Sequence, residues 1–195
     1  METKNIMFNA NKKLSKKNII NDNIINNNKG ENKYKKRVVA ENWTFETEDY
    51  IYENQLNNIK NIQSNSFIFN DEKTKITLQQ INKKIYGYKQ QDINKKLFNP
   101  DKFINLESII NKMIECELKC YYCSCEMNVL YDISREMKQW SVDRINNDLG
   151  HNIDNYYLAC LECNLKRRRR NDEKFLFTKQ MKLVKVYSNI NDNSI

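Results

Sequence analysis

The chain has 195 residues, which is enough for one domain of ordinary size with appendages but not for two large cores. Lys and Arg outnumber Asp and Glu by 33 to 25, and the resulting formal charge of +8 favours a polyanionic partner. No apolar run approaches the roughly 18 residues of a membrane span, and the Asn-rich start lacks the apolar core of a secretory signal. We therefore expect a soluble, intracellular protein with nucleic acid as its leading partner, ahead of an anionic membrane surface.

Residues 1–40 are mostly Asn, Lys and Ile without clear periodicity, and they contain several basic clusters. This composition predicts a flexible, disordered basic arm, which either tracks a nucleic acid backbone or is a solvated tail without a specific role. Residues 41–104 form a second region of helical or irregular structure. Its first part, from Asn42 to Asn70, is aromatic and acidic but shows no dominant period, so we assign no element there.

Two helices are predicted before the cysteine-rich part of the chain. Thr77 and Gln80 have the spacing of a capping box, and helical spacing of apolar residues continues from there until Gly87, where we expect the first helix to end. A second helix is expected to begin near Asn105. Its apolar stripe follows the i, i+3, i+4, i+7, i+8 pattern and contains Leu106, Ile109, Ile110, Met113 and Ile114.

Two C-x2-C pairs, separated by 36 residues, are the most informative feature of the sequence. They are Cys120 with Cys123 and Cys160 with Cys163. Four thiolates with this spacing can close tetrahedrally on one structural Zn2+, and in a reducing compartment zinc binding is a better account than disulfides. We leave two further cysteines out of the site: Cys116 lies at the edge of a helical stripe, and Cys125 is either a spare thiol or filler.

The segment between the pairs predicts a β-hairpin. Trp140–Ile145 alternates as a short strand does, Asn146–Gly150 is turn-forming, and Tyr156–Ala159 is a second strand. From Leu161 to about Arg170 the sequence contains no Gly or Pro and favours a helix.

The expected fold class is α+β. Its core is a small zinc-stapled ββα unit within residues 105–180, preceded by helices and followed by a tail of residues 181–195.

From Cys120 to Arg170, about a quarter of the chain, the sequence resembles the HNH, or His-Me finger, nucleases. Their pattern is CxxC, Asp-His, a Gly-containing loop, an Asn, and then CxxC followed by Asn or His. The stretch from Gln139 to Asn155, with Ala159–Lys166 after it, is similar to a subgroup found in large DNA viruses and phages. The resemblance implies that residues 105–180 are a nuclease domain.

The resemblance also implies a catalytic Mg2+ or Mn2+ on Asp143 and Asn164, with Asn155 bracing the loop. Hard oxygen ligands suit such a cation and leave room for a phosphate oxygen. Each residue alone has an ordinary structural explanation, since Asp143 could cap a turn at a strand end and Asn164 could begin a helix.

The chain departs from the family pattern where most members have the catalytic histidine. Arg144 stands there, and its guanidinium stays protonated, so it cannot act as a base. His151 is the only histidine in the protein. We expect it to reach the pocket beside Asp143 from the opposite side of the hairpin and to act as the base, with Arg144 on the scissile phosphate. Alternatively, His151 is a surface turn residue and Arg144 a salt-bridged strand residue.

A run of five cations follows the last cysteine and falls on the predicted helix. It consists of Lys166, Arg167, Arg168, Arg169 and Arg170. Consecutive helical positions point around the whole axis, so only two or three of these side chains could face one groove. We interpret the run as a contact to nucleic acid phosphates; a nuclear-import signal and a merely solvated segment are the alternatives.

Together these features predict a metal-dependent HNH-type endonuclease that hydrolyses phosphodiester bonds in DNA, with RNA not excluded. The rival hypothesis is a catalytically inactive zinc-binding module that holds nucleic acid, because Arg144 replaces the usual base. A zinc domain for protein interaction ranks last, since it leaves Asp143, Asn164 and the basic run as coincidence.

Overall fold

The computed structural model describes residues 35–64 and 71–181. Within these ranges it contains five α-helices and one two-stranded antiparallel sheet, in the order α1, α2, α3, β1, β2, α4, α5. Their bounds are α1 Tyr52–Gln63, α2 Glu72–Asn94, α3 Leu106–Glu115, β1 Trp140–Arg144, β2 Tyr156–Cys160, α4 Leu161–Arg167 and α5 Asp172–Gln180. The expected α+β class is confirmed at this level. None of the described helices is long and apolar enough to cross a membrane.

Helix α2 is much longer than predicted. Asp71 caps its N-terminus by accepting hydrogen bonds from the backbone N–H groups of Lys73 and Thr74, so the helix begins before the predicted Thr77 cap. Thr77 instead lies buried inside the helix. Gly87 also lies inside, because a single glycine costs a helix only about 1 kcal/mol and neighbouring contacts offset that cost. The predicted ends of this helix were therefore wrong.

Helix α3 matches its prediction. Asn105 is the N-cap and forms a reciprocal capping box with Ser108. Ile109, Ile110 and Met113 from the predicted stripe are buried. They join a core that also takes Ile59 from α1, a helix that the sequence did not predict because its apolar positions are few.

The predicted hairpin and the helix after it are present. β1 pairs with β2 so that Trp140 lies opposite Cys160 and Asp143 opposite Tyr157. Helix α4 then begins directly at Leu161 and ends at Arg167, three residues earlier than expected, because Arg168 adopts a positive φ of 56°. The order strand, strand, helix is therefore observed between and after the cysteine pairs.

Most of the predicted basic arm of residues 1–40 and nearly all of the tail of residues 181–195 lie outside the described residues. The last part of the proposed arm is described, and it is not a free segment. Val38–Ala40 is a short 3-10 helix, and Lys36 forms a β-bridge with Ile133. Arg37 donates to the carbonyl of Tyr131 over 2.8 Å. The boundary at residue 40 was thus placed too late.

Candidate functional site

The four predicted cysteines come together. The Sγ atoms of Cys120, Cys123, Cys160 and Cys163 all lie within 4.8 Å of one another, and those of Cys123 and Cys160 are 3.9 Å apart. Four thiolates at about 2.3 Å from a tetrahedral Zn2+ would be separated by roughly 3.8 Å, so the group fits such an ion. These residues could hold a metal ion such as zinc.

Local backbone hydrogen bonds shape both halves of this cluster. In the first, the Ser124 N–H donates to the Cys120 carbonyl, and Ser124 takes a positive φ of 57° to close the turn. In the second, Cys160 is the N-cap of α4, and its Sγ accepts from the Cys163 backbone N–H at 3.4 Å. The Tyr121 N–H donates to the Leu158 carbonyl and fastens the first turn to β2. These hydrogen bonds hold the Cys120–Cys123 turn, β2 and α4 together. We call this turn the first knuckle.

Asp143 is buried and forms an internal ion pair. Its side chain is 4% exposed, and its Oδ1 accepts from Arg167, whose side chain is only 1% exposed, over 2.9 Å. Its Oδ2 accepts from the Tyr122 hydroxyl at 2.7 Å. Burial raises the pKa of Asp143 above its ordinary value, although both partners act to lower it. Arg167 also donates to the carbonyls of Arg144 and Ile145, so the pair ties α4 to the end of β1.

Asp143 and Asn164 do not fit the catalytic cation that the family resemblance implies. The Asn164 Nδ2 donates to Ser141 Oγ and to the Val142 carbonyl, which brings the side chain to β1. However, both carboxylate oxygens of Asp143 are already engaged, and the Arg167 guanidinium neutralises the charge that would attract a cation. In this arrangement the residues serve the packing of α4 on β1.

Helix α2 covers the edge of β1 that faces away from β2. Three side chains spaced four residues apart, Lys84, Tyr88 and Asp92, face the hairpin. Lys84 donates to the Trp140 carbonyl, and the Tyr88 hydroxyl accepts from the Val142 N–H at 3.1 Å. We call these three residues the α2 ladder. An exposed strand edge is a liability that proteins cover, and here side chains rather than a third strand satisfy the backbone.

The ladder starts with an unusual lysine. The Lys84 ammonium lies 4.7 Å from the centre of the Trp140 ring and 5.2 Å from that of Tyr131. No carboxylate pairs with it among the described residues. Burial lowers its pKa to about 7, and the nearby Arg37 acts in the same direction.

The ladder ends at His151. Its Nδ1 lies 2.7 Å from Asp92 Oδ1, its backbone N–H donates to Asp92 Oδ2 at 2.6 Å, and its ring stacks on Tyr88 with centroids 4.7 Å apart. Because an ionised carboxylate only accepts, Nδ1 carries the proton of the neutral ring and Nε2 keeps a lone pair. Nε2 has no hydrogen-bond partner in the described part of the chain, and it is not among the fully buried unpartnered atoms, so it retains contact with solvent.

The environment of His151 favours the neutral imidazole. Burial lowers its pKa below the ordinary value, and this effect exceeds the opposing attraction of Asp92. The positive charges of Arg144 and Lys95 lower the pKa further. A neutral imidazole with a proton on Nδ1 and a lone pair facing solvent can accept a proton at Nε2.

Gly150 allows this close approach of the loop to α2. A Cβ atom at this position would lie 2.5 Å from the Leu97 carbonyl oxygen and 2.9 Å from Asp92 Oδ2. Both distances are too short for any side chain, and the carbonyl is backbone that cannot turn away. The chain therefore needs glycine here to place the next residue, His151, against Asp92.

Asn155 and Arg144 shape the loop between β1 and β2. The Asn155 side chain accepts from the Asn146 N–H at 2.8 Å and donates to the carbonyls of Asn146 and Gly150 at 3.0 Å each, so it braces the loop as expected. One terminal nitrogen of Arg144 donates to the carbonyls of Asn147 and Leu149. Contrary to the alternative considered for it, Arg144 forms no salt bridge among the described residues.

The structure places His151 away from its predicted partner. It lies in the loop, five residues before β2 begins, and its ring bonds to Asp92 on α2 instead of Asp143. It is also 4% exposed, so the alternative of a surface turn histidine is wrong as well.

The five residues of the basic run differ in their burial and in their ionic partners. Arg167 is wholly buried, so its prediction as a phosphate contact was wrong: Asp143 and two backbone carbonyls already occupy its guanidinium. Lys166 is exposed but pairs with Glu162, one helical turn earlier. Arg168, Arg169 and Arg170 are exposed and lie beyond the end of α4. Three of the five positions thus remain open to a polyanion without an ion pair in the described structure.

Sequence reasoning missed Asp92 and Tyr88 as parts of the site. They lie about 60 residues before His151, and nothing in the local pattern links them to the loop. The signal that could have found them is their four-residue spacing with Lys84 on one side of a helix, but the helix was predicted to end at Gly87.

No family model, curated protein or solved structure matches this chain.

Proposed function

We propose that this protein is an HNH-type endonuclease that hydrolyses phosphodiester bonds in DNA, with His151 as its general base. The observation that carries the proposal is the arrangement of His151: a neutral imidazole held on one side by the buried Asp92, with Nε2 unpartnered among the described residues although the residue is only 4% exposed. Buried carboxylate–imidazole pairs with a free nitrogen are suited to proton transfer. The sequence between the cysteine pairs and the net positive charge support phosphodiesters as the substrate class.

In the proposed reaction, His151 Nε2 accepts a proton from the water that attacks phosphorus. Asp92 holds the ring through Nδ1–H and stabilises the imidazolium that forms. Asn155 hydrogen-bonds to Asn146 and Gly150, so it holds the loop, and with it His151, in place. As the new P–O bond forms, the P–O bond to the departing oxygen breaks and that oxygen takes a proton from solvent water. The imidazolium then releases its Nε2 proton to solvent, and the ring returns to its neutral form.

Arg144 lies close enough to His151 for its positive charge to lower the pKa of the ring, as Lys95 also does. Only one of its terminal nitrogens is used by the loop, so the remaining N–H groups are free for a phosphate oxygen. We propose that Arg144 binds the scissile phosphate beside His151.

We propose that the four cysteines hold a structural Zn2+, which fixes β2 and α4. The Mg2+ or Mn2+ implied by the resemblance does not fit Asp143 in its present ion pair. The proposed reaction therefore assigns no step to these ions.

The second candidate is a zinc-supported module that binds nucleic acid without cleaving it. The burial of Asp143 against Arg167 favours it, because the residue expected to hold the catalytic cation is used in packing. It predicts binding of DNA by the wild-type protein and no strand cleavage.

The test is nicking of supercoiled plasmid by the zinc-loaded protein, with and without added Mg2+ or Mn2+. We expect His151→Ala to lower the nicking rate 100- to 10,000-fold, the range that a general base supplies. Asp92→Asn should also lower it, because an amide can present its N–H group to Nδ1 and favour the wrong tautomer. Asp148→Asn makes the same chemical change on the exposed part of the same loop and should leave the rate unchanged.

The pH profile separates a base from a merely structural histidine. The wild-type rate should rise with pH and level off at a lower pH than an ordinary histidine would give, since burial lowers the pKa of His151 below 6.5. Nicking by His151→Ala at the wild-type rate would remove the base assignment, and wild-type protein that binds DNA but never nicks it would establish the second candidate.

A further inference from the structure

The outer side of α2 carries only positive and neutral side chains. At helical spacing, Lys75, Lys83, Tyr86 and Lys89 lie on the side opposite the α2 ladder, and all four are exposed. We call them the α2 stripe. Uncharged Gln79, Asn82 and Ile93 lie among them, and after Glu72 the only acidic residue of α2 is the buried Asp92.

The lysines of the stripe are among the surface lysines that have no ionic partner in the described structure. Five lysines in the described ranges are paired with a carboxylate: Lys73, Lys102, Lys112, Lys119 and Lys166. By contrast, Lys75, Lys83 and Lys89 make no ion pair in the described part of the structure, and neither do Lys95 and Lys96 just after the helix. Their charge is therefore not neutralised within the protein.

The stripe leads to the candidate site. Helix α2 ends at Asn94, two residues after Asp92, and the positive charge of Lys95 acts directly on His151. A rise of about 1.5 Å per residue separates Lys75 from Lys89 by roughly 21 Å, which corresponds to about six phosphates along one strand at 3.4 Å each. A nucleic acid strand lying along the stripe would run toward the end of α2 nearest His151, although on the opposite side of the helix from the ring.

We propose that the α2 stripe is a binding surface for the phosphate backbone of nucleic acid and directs the strand toward His151. This inference rests on the proposed function for its direction, but binding itself does not require cleavage. Tyr86 is 64% exposed in the middle of the stripe, where a phenol can donate a hydrogen bond to a phosphate or stack on an unpaired base. A row of lysines without acidic neighbours gives affinity without sequence preference.

The test measures binding of a fluorescein-labelled 20-base-pair duplex by anisotropy, in a His151→Ala background so that cleavage does not interfere. The variant Lys75→Glu/Lys83→Glu/Lys89→Glu reverses the stripe, and Glu keeps nearly the helix propensity of Lys. We expect at least a tenfold rise in the dissociation constant at 100 mM salt. The plot of log affinity against log salt should become shallower by roughly 2 to 3, as each lost phosphate contact removes about 0.9.

The matched control is Lys60→Glu/Lys112→Glu/Lys119→Glu, which changes the net charge by the same amount on α1, α3 and the segment before the first knuckle. Circular dichroism and thermal unfolding establish that both variants are folded. An equal loss of binding in both would show a general effect of net charge and overturn the proposal, as would no loss in either. The same pair is assayed on vesicles with 30% anionic lipid, and a stripe-dependent loss there with unchanged DNA binding would also overturn it.

Failure of the two proposals can be told apart. If the stripe variant loses DNA binding and the wild-type protein never nicks plasmid, the binding surface is supported and the nuclease proposal is wrong. If nicking depends on His151 and the stripe variant binds DNA normally, the nuclease proposal is supported and the binding surface is wrong.

Discussion

The two sides of β1 are held by different means. On one side, β2 and α4 are joined to the first knuckle by four cysteines that lie within 44 residues of the sequence. On the other, α2 supplies Lys84, Tyr88 and Asp92, which hydrogen-bond to the strand and the loop from about 50 to 60 residues away. The first side depends on a cluster of cysteines that could hold a metal ion, and the second on the alignment of the side chains along one helix.

This difference assigns separate tasks to the two sides. The cysteine side provides a fixed base for the hairpin, since metal binding can contribute on the order of 10 kcal/mol to folding. In the proposed function, the α2 side would supply the chemistry, because it holds His151 through Asp92 and carries the α2 stripe. Variants that act on one side and not the other should therefore separate stability from activity.

The largest effect is expected from loss of the metal site. Cys163→Ser, or treatment with a zinc chelator, should unfold the hairpin and α4, because the thiolates would no longer be linked through a cation. Thermal unfolding and elemental analysis measure this. Cys116→Ser removes a thiol outside the cluster and should leave one zinc per chain and an unchanged melting temperature. Full stability of Cys163→Ser without zinc would contradict the metal site.

Breaking the internal ion pair should come next. Arg167→Met leaves the Asp143 carboxylate buried without its cation and removes the bonds to the Arg144 and Ile145 carbonyls, at a cost of about 3–5 kcal/mol. Chemical denaturation measures the loss. Arg169→Met makes the same change at an exposed position and should cost little. An equal effect of the two substitutions would mean that the buried pair contributes nothing.

The pH dependence of stability tests the α2 side. The folded pKa of His151 lies below 6.5, so its contribution is fully present above the unfolded pKa and is lost as the pH falls through the folded pKa, because the unfolded chain binds the proton more tightly. Unfolding free energies measured from pH 7.5 to 4.5 should decline for the wild-type protein. In His151→Gln this part of the decline should vanish, and an unchanged profile would contradict the buried histidine.

The smallest effect is expected at Gly87, and it has the opposite sign. A Cβ atom there would meet nothing within 4 Å, so Gly87→Ala should stabilise the protein by about 0.5–1 kcal/mol through helix propensity. Gly150→Ala makes the same change where a Cβ has no room, and it should destabilise the loop. Equilibrium denaturation of both variants checks the contrast, which fails if Gly87→Ala is destabilising.

The sequence predicted the cysteine side well because its signals are local. The C-x2-C spacings, the alternation of Trp140–Ile145 and the capping residue Asn105 each determine structure within a few positions, and the elements they predicted are observed. Asn155 braces the loop, as the family resemblance implied, and no local pattern in the sequence indicated it.

The α2 side could not be read in this way. A lone glycine made the helix seem to end at Gly87, although helices tolerate glycine where tertiary contacts compensate. Asp92 therefore lay outside the predicted helix and was not considered as the partner of His151, which was expected beside the Asp143 that the family resemblance implied. The basic run after Cys163 was misinterpreted for a related reason. Its charge alone did not indicate that Arg167 is buried and forms an ion pair with Asp143.

The continuity of α2 places a restriction on how this protein can vary. Each residue turns the helix by about 100°, so inserting or deleting one position between Lys84 and Asp92 would swing every later side chain out of alignment with β1. The alignment with β1 does not depend on which side chains occupy the outer side of α2, but it does depend on the number of residues in this interval. We therefore expect homologous chains to have different residues along α2 but the same number of residues between the positions of Lys84 and Asp92.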